Sequence, residues 1–298
     1  MRVRILGSAA GGGFPQWNCN CPTCQAARDP LGAALPRTQS SIAVRGERGP
    51  WFLVNASPDL REQLAGLPTD RSNGLRSTPI GGILLTDGEI DHTAGLLLLR
   101  ESSVPLHVYS TAEVRHALTE RFPLLRILEM YCGADWSEIE PGESLGLDGS
   151  SLELDAFPTG GDPPLYMRDA TVAPASIGLS IRDRESGRSL AYAPALASID
   201  DGIVERLDRS DCALVDGTFW SSDELVALGI GTRDAAAMGH APLAGTGGSL
   251  ATLSALRPRT ILVHVNNTNP ILLDGSPERA TVEANGIEVA YDGMEIEL

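Results

Sequence analysis

Ile83-Leu84-Leu85-Thr86-Asp87-Gly88-Glu89-Ile90-Asp91-His92-Thr93-Ala94-Gly95-Leu96 is the stretch on which the reading of this chain turns. Its first three residues are an apolar run of the kind a buried strand uses. It then becomes polar and places Asp87, Glu89, Asp91 and His92 within six residues, before a helix-like stretch through Leu96 to Leu99. Carboxylates and an imidazole crowded where a strand gives way to a helix are positioned to hold a metal ion. The loop beyond the carboxyl end of a strand is also where open α/β sheets bind ligands.

Outward from this stretch, strand-like segments are predicted at Val3 to Leu6, Ser41 to Arg45, Trp51 to Asn55 and Leu106 to Tyr109. A second set is predicted at Ser151 to Phe157, Ile177 to Ile181, Leu190 to Ala193, Cys212 to Val215, Thr260 to Val265 and Ile287 to Tyr291. Helices are predicted at Thr111 to Arg121, Ser221 to Leu228, Gly248 to Leu256 and Ser276 to Asn285, the last opened by a cap residue directly before proline. Gly160 to Ala175, rich in Pro and Gly, reads as a long irregular loop. Two sheets flanked by helices satisfy this pattern, and so does one long mixed sheet.

The 298 residues suffice for one large domain or two small ones, and 42% hydrophobic content is ordinary for a packed core. A net charge of −16 disfavours phosphate backbones, which weighs against a nucleic-acid partner. No apolar run approaches the roughly 18 residues a membrane span needs, and the N-terminus reads as a strand in place of a signal peptide. Membrane insertion is therefore not expected. Five cysteines, three of them clustered, suggest a metal site in a reducing cytoplasm.

That cluster is Cys19-Asn20-Cys21-Pro22-Thr23-Cys24, in which three thiols can meet at one tetrahedral ion with a fourth ligand from elsewhere. A redox pair or buried thiols are the plainer alternatives. Gly7 to Pro15 lacks the helix start and the closing Lys-Ser/Thr of a phosphate loop, and reads as a turn that lets backbone pass close to a site. Arg37 can hold a substrate carboxylate, an edge ion pair being its alternative, and Asn267 is the second candidate for substrate contact. Asp216 stands just past a strand, and His240 follows a Gly-rich loop, Gly229 to Thr232. His264 ends a buried strand and precedes a polar run to Asn269-Pro270; it can be satisfied by backbone or can be the missing ligand beside the thiols.

The opening stretch resembles the His-x-His-x-Asp-His signature of the metallo-β-lactamase superfamily, with Asp87 and Glu89 at the two leading histidine positions and Asp91-His92 retained. Gly7 to Cys19, Arg37 to Ser41, Asn55 to Asp59, Asp216-Gly217-Thr218, Met238-Gly239-His240 and His264 to Pro270 extend the likeness in order along nearly the whole chain. Together they resemble the PqqB family of pyrroloquinoline quinone (PQQ) biosynthesis proteins. The resemblance implies one αββα four-layer domain over 1–298, an α/β sandwich with its zinc knuckle at 19–24. It implies structural Zn2+ on Cys19, Cys21, Cys24 and His264, although the superfamily also uses a histidine near His264 for its active metal. It further implies active-site Fe2+ on Asp91, His92 and His240, completed or tuned by Glu89 or Asp216, with Asp59 orienting ligands. The activity implied is iron- and O2-dependent hydroxylation of the tyrosine ring of a cross-linked Glu-Tyr diamino acid cut from a precursor peptide. A carrier of PQQ or its precursor towards the periplasm is the alternative, and a metal-dependent hydrolase the third. Loss of imidazoles at Asp87 and Glu89, and Thr159-Gly160 where another superfamily histidine is expected, shift the preference from paired zinc to one iron. A cytoplasmic protein is expected, with a homodimer as the candidate assembly.

Overall fold

Alternation along each strand sorts side chains into layers. In Ser41–Arg45, Ile42 and Val44 face one way and Ala43 the other; in Trp51–Val54, Phe52 and Val54 oppose Trp51 and Leu53. The same division recurs in Cys212–Asp216, where Leu214 and Val215 belong to different apolar layers. The structure is a computed structural model describing residues 1–67, 75, 77–167 and 174–298.

Two seven-stranded sheets result. The first runs β14 (Glu295–Glu297), β1 (Arg2–Gly7), β2 (Ser41–Arg45), β3 (Trp51–Val54), β4 (Ile80–Leu84), β5 (Leu106–Ser110), β6 (Ala134–Glu138). The second runs β13 (Glu288–Val289), β12 (Arg259–Val263), β11 (Cys212–Asp216), β10 (Ser189–Ala193), β9 (Ile177–Asp183), β8 (Leu152–Pro158), β7 (Ser144–Gly146). In the first sheet pairing is antiparallel from β14 to β3 and parallel from β3 to β6. In the second it is antiparallel from β7 to β10 and parallel from β10 to β13. Each sheet thus changes direction at its centre, and the strands just past the change lead to two carboxylates: β4 ends at Leu84, three residues before Asp87, and β11 ends at Asp216.

Ile5, Ile42, Phe52 and Val54 meet Leu154, Leu179, Leu190, Leu214 and Ile261 between the sheets. Leu53, Ile83 and Leu85 pack under outer helices through Leu60, Leu96, Val114 and Leu118, while Val215 and Leu262 pack against Ile203, Leu207, Leu253 and Val282. Helix, sheet, sheet and helix give the four-layer αββα metallo-β-lactamase fold. Each fully buried Leu, Ile or Phe contributes about 2 kcal/mol, so the three apolar layers fix the spacing of the loops that carry the chemistry.

The three strands not expected, β6, β7 and β14, are all sheet edges. The other edge, β13, covers only two of the five residues expected to be extended. Edge strands are short and half solvated, so their sequences carry charge in place of apolar runs. The helix expected from Thr111 keeps its cap, the Thr111 hydroxyl accepting from Val114 N at 3.3 Å, but runs as α-helix only over Ala112–His116 before widening into a π-turn. Within the loop expected over 160–175, residues 160–164 are irregular and Leu165–Met167 form a 3₁₀ turn. Residues 168–173 lie outside the described part. Among the described residues no helix is long and apolar enough to cross a membrane.

Candidate metal centres

Beyond β4 the chain is braced from the neighbouring strand. Asn55, in the left-handed region at φ 65°, donates through Nδ2 to the Thr86 hydroxyl and accepts from Thr86 N, both at 3.0 Å. A non-glycine residue there is uncommon and costs energy, which concentrates at functional sites. Glu89 N donates to Asp87 Oδ1 at 2.9 Å and opens the short helix Ile90–Thr93. This turn lays both Asp87 carboxylate oxygens 2.8 Å from His92 Nδ1. His92 is buried, and its Nε2 has no hydrogen-bond partner. Asp91 Oδ2 lies 3.8 Å from that nitrogen and 3.9 Å from His264 Nε2. Two ligand bonds of about 2.1 Å span such gaps.

The second sheet supplies the facing wall. Asp216, at the end of β11, accepts from Thr218 N at 2.9 Å, Leu196 N at 2.8 Å and His240 Nδ1 at 2.7 Å, so it orients His240. His240 follows Gly239, whose φ of +81° suits glycine. His264 leaves β12 with φ 56°. The Thr218 hydroxyl donates to the His264 carbonyl at 2.9 Å and sits 2.8 Å from its Nδ1. A hydroxyl has one proton, so it accepts from Nδ1–H, and the His264 Nε2 lone pair is left facing Asp91. The His264 ring centroid is 5.3 Å from those of both His92 and His240.

Charge is concentrated here. Burial raises the Asp87 carboxyl, but the His92 charge and hydrogen bond reverse this and hold it below the usual range. Burial lowers the His92 imidazole, yet Asp87 and Asp91 carry it up to about 9. Asp216 likewise raises His240 against its burial. His264 is pushed down to about 4 by burial and by His240 and His92. Surrounding protein, then the Asp87 and Asp91 charges, raise Glu89 to about 7. An ion here would replace protons on the imidazoles, as metal binding does generally. Two donor groups fit one: Asp91, His92 and His264, and Asp216, His240 and His264, with the atoms of each group within 4.8 Å of one another. The orphaned His92 Nε2 and the preset His264 Nε2 favour the first; the expected set of Asp91, His92 and His240 is not one of these groups, His240 being drawn to Asp216 and His264 standing in its place beside Asp91 and His92.

A cleft of about 290 Å³ opens on these groups, lined also by Gly11, Glu89, Asp162, Arg233 and Asn266. The Gly-rich turn brings backbone to the site, as expected: a Cβ on Gly11 would stand 3.0 Å from Asp91 Oδ2. Two expected substrate contacts are corrected. Arg37 is buried away from the cleft, donating to the Ala290 carbonyl, and burial lowers it to about 10. Asn267 faces the thiols. The guanidinium that does line the cleft is Arg233, directly after the Gly-rich loop that had marked the approach to His240. Asp59 holds Gln39 N and Nε2 at 2.9 and 3.0 Å instead of an imidazole; Asp87, Asp216 and Thr218 do the orienting.

Cys19, Cys21 and Cys24 form the third donor group, their sulfurs within 4.8 Å of one another. The helix Pro22–Arg28 starts directly after Cys21 and turns Cys24 back onto it. Burial pushes the Cys24 thiol up to about 11; it also acts to raise Cys21, but hydrogen bonds led by the Thr23 hydroxyl bring that thiol below its usual value. The expectation that His264 closes this site is corrected. Its left-handed backbone turns the ring to Asp91, and the residue reaching the sulfurs is Asn267, with Nδ2 3.2 Å from Cys24 Sγ and 3.8 Å from Cys21 Sγ.

Residues 50–265 match the beta-lactamase superfamily domain. The coenzyme PQQ synthesis protein B of Cupriavidus taiwanensis is 49% identical over 308 residues, covering 99% of each chain. That of Azoarcus sp. (strain BH72) is 46% identical over 304 residues, covering 100% of each. The crystal structure of Zn(2+)-bound PqqB from Methylobacterium extorquens matches with TM-score 0.91 and 38% identity across the whole of both chains. A diphosphatase of the PhnP family shares the fold at TM-score 0.70 and 21% identity, covering 100% of this chain and 98% of that one. With full-length identity of this order to proteins of one kind, the chain belongs to the coenzyme PQQ synthesis protein B family of the metallo-β-lactamase superfamily.

Proposed function

We propose that, within coenzyme PQQ synthesis, this protein hydroxylates the tyrosine ring of a cross-linked Glu-Tyr diamino acid with Fe2+ and O2. One observation carries the reading: Asp91, His92 and His264 direct one carboxylate and two imidazoles to a common point. Such a set suits ferrous iron with positions left open. Two positions that would serve a paired-metal site are engaged otherwise: Asp87 has both oxygens turned to His92, and Thr159 is bonded to Ser176 at 2.6 Å. A ferrous ion held there supplies the activation of oxygen. Overall, one oxygen atom enters the ring and the other leaves as water, with two electrons from an external reductant.

The chain's own residues do the rest. Arg233 receives a substrate carboxylate, and Glu89 and Asp162 face its ammonium groups. His240, whose imidazolium form is favoured by its pairing with Asp216, donates from Nε2 to the phenolate oxygen and favours the electron-rich form of the ring. Pro163 and Leu165 form the wall that restricts water, anchored by the Tyr166 hydroxyl on the Gly88 carbonyl. The test is anaerobic loading with Fe2+, then oxygen uptake with the diamino acid and a two-electron reductant such as ascorbate. Uptake matched one to one by hydroxylated product is expected, with none after loading with Zn2+. Ester or phosphodiester cleavage indifferent to oxygen would establish a hydrolase instead, and tight PQQ binding without turnover a carrier.

A further inference from the structure

We infer that Asn266 is a specificity-determining residue, a neutral acceptor that reads a substrate ammonium, and that buried Glu224 sets its direction from outside the cleft. The inference rests on the reaction proposed above, which gives the phenolate to His240 and leaves an ammonium as the donor for Asn266. Asn266 lines the cleft two residues after His264, as Arg233 does. Its backbone is held on both sides. Its N–H donates to the Thr218 carbonyl at 3.0 Å, and its carbonyl accepts from Asn269 N at 2.9 Å. Its side-chain Nδ2 donates to the Thr268 hydroxyl at 2.6 Å. Among the described residues nothing bonds its Oδ1.

An amide fits either way round, and here its neighbours choose. Thr268 and Glu224 are 5% and 8% exposed. An ionised carboxylate only accepts. Trp220 N donates to Glu224 Oε2 at 2.8 Å, and the Thr268 hydroxyl donates to Oε1. Burial raises the Glu224 carboxyl, while hydrogen bonds from Thr268, Trp220 and Ser221 counter this by favouring the anion. A hydroxyl has one proton, so Thr268, having turned it to Glu224, can only accept from Asn266. Nδ2 is therefore fixed on Thr268, and Oδ1 is left for the cleft. An acceptor there favours an ammonium and disfavours a carboxylate, the reverse of Arg233. The same logic predicts an inversion in Glu224→Gln. Trp220 and Ser221 still require an acceptor, so the new amide oxygen stays with them and its NH2 faces Thr268. Thr268 then accepts from that NH2 and turns its proton to Asn266, whose amide rotates and shows Nδ2 to the cleft.

The test compares wild type, Asn266→Ala and Glu224→Gln. Calorimetry on Zn2+-loaded protein without oxygen measures binding of the diamino acid and of its two analogues that each lack one amino group. Oxygen uptake by the Fe2+-loaded protein gives kcat and KM. Wild type should bind one analogue about tenfold more weakly than the diamino acid, the worth of a hydrogen bond to a charged group. Asn266→Ala and Glu224→Gln should bind the diamino acid weakly by a similar factor and lose that preference, with the change in KM and not in kcat. Glu224→Gln is isosteric and decides the matter should the alanine variant fail to fold. Preferential binding without oxygen uptake would remove the hydroxylation and leave this role of Asn266 standing. Equal affinity of wild type for all three compounds, no binding of any, or the wild-type preference persisting in either variant would overturn the inference.

Discussion

The thiol cluster and the histidine cleft lie on either side of one segment, His264 to Asn269, and are built by opposite rules. The thiol site takes its sulfurs from six consecutive residues and orients them with one helix start, Pro22–Arg28. The cleft gathers Asp91, His92, His240 and His264 from both sheets, and each imidazole has a partner for its Nδ1: Asp87, Asp216 or Thr218. A local site can be ordered by the chain that carries it. A site assembled from distant loops needs a second layer of hydrogen bonds to fix each ring, because nothing in the local backbone does so.

The sharpest way to break this contrast is His92→Ala. It should remove iron from the cleft and abolish oxygen uptake while zinc at the cysteines stays at wild-type stoichiometry; metal analysis showing unchanged iron would exclude His92 as a ligand. Cys21→Ser should do the reverse, losing zinc and about 3 kcal/mol of stability, roughly 6 °C in melting temperature. Unaltered melting and zinc content would contradict a structural metal there. Asp87→Ala separates orientation from ligation: the fold should hold while iron affinity falls about 10–100-fold. A complete loss, matching His92→Ala, would make Asp87 a ligand itself.

The smallest effect lies far from both sites. Asp183 accepts from Glu47 N and Glu185 N at 3.1 Å and from the Ser186 hydroxyl at 2.9 Å. Burial raises this carboxyl, but these bonds together with Ser151 bring it down to about 2. A depressed carboxyl stabilises the fold above its unfolded value near 4 and loses that contribution as pH falls through about 2. Asp183→Asn should therefore cost on the order of 1–2 kcal/mol at neutral pH and progressively less in acid, with both metals unaffected. Denaturant melts at several pH values read the difference, and a cost that does not shrink in acid would remove the titration from the account.

Asp91-His92 and the cysteine run were legible because their spacing and their place beside a strand carry the chemistry. His264 was legible as a special residue but not as to which site it serves. It and Asn267 are three residues apart in one polar run, and only the left-handed backbone at His264 sends its ring to the cleft and leaves Asn267 to the thiols. Arg37 and Arg233 show the same limit. A guanidinium reads alike at either position, and only folding buried one against Ala290 and left the other on the cleft wall.

By itself the sequence determined the central strands, the order of the motifs, the two donor chemistries and the family, since apolar alternation and short ligand spacings act through neighbours along the chain. Tertiary structure alone decided the edges of the sheets, the partners of each imidazole and the division of His264 and Asn267 between two sites. Those depend on where strands far apart in sequence end relative to one another, and that register is fixed by packing between layers, which no local pattern encodes.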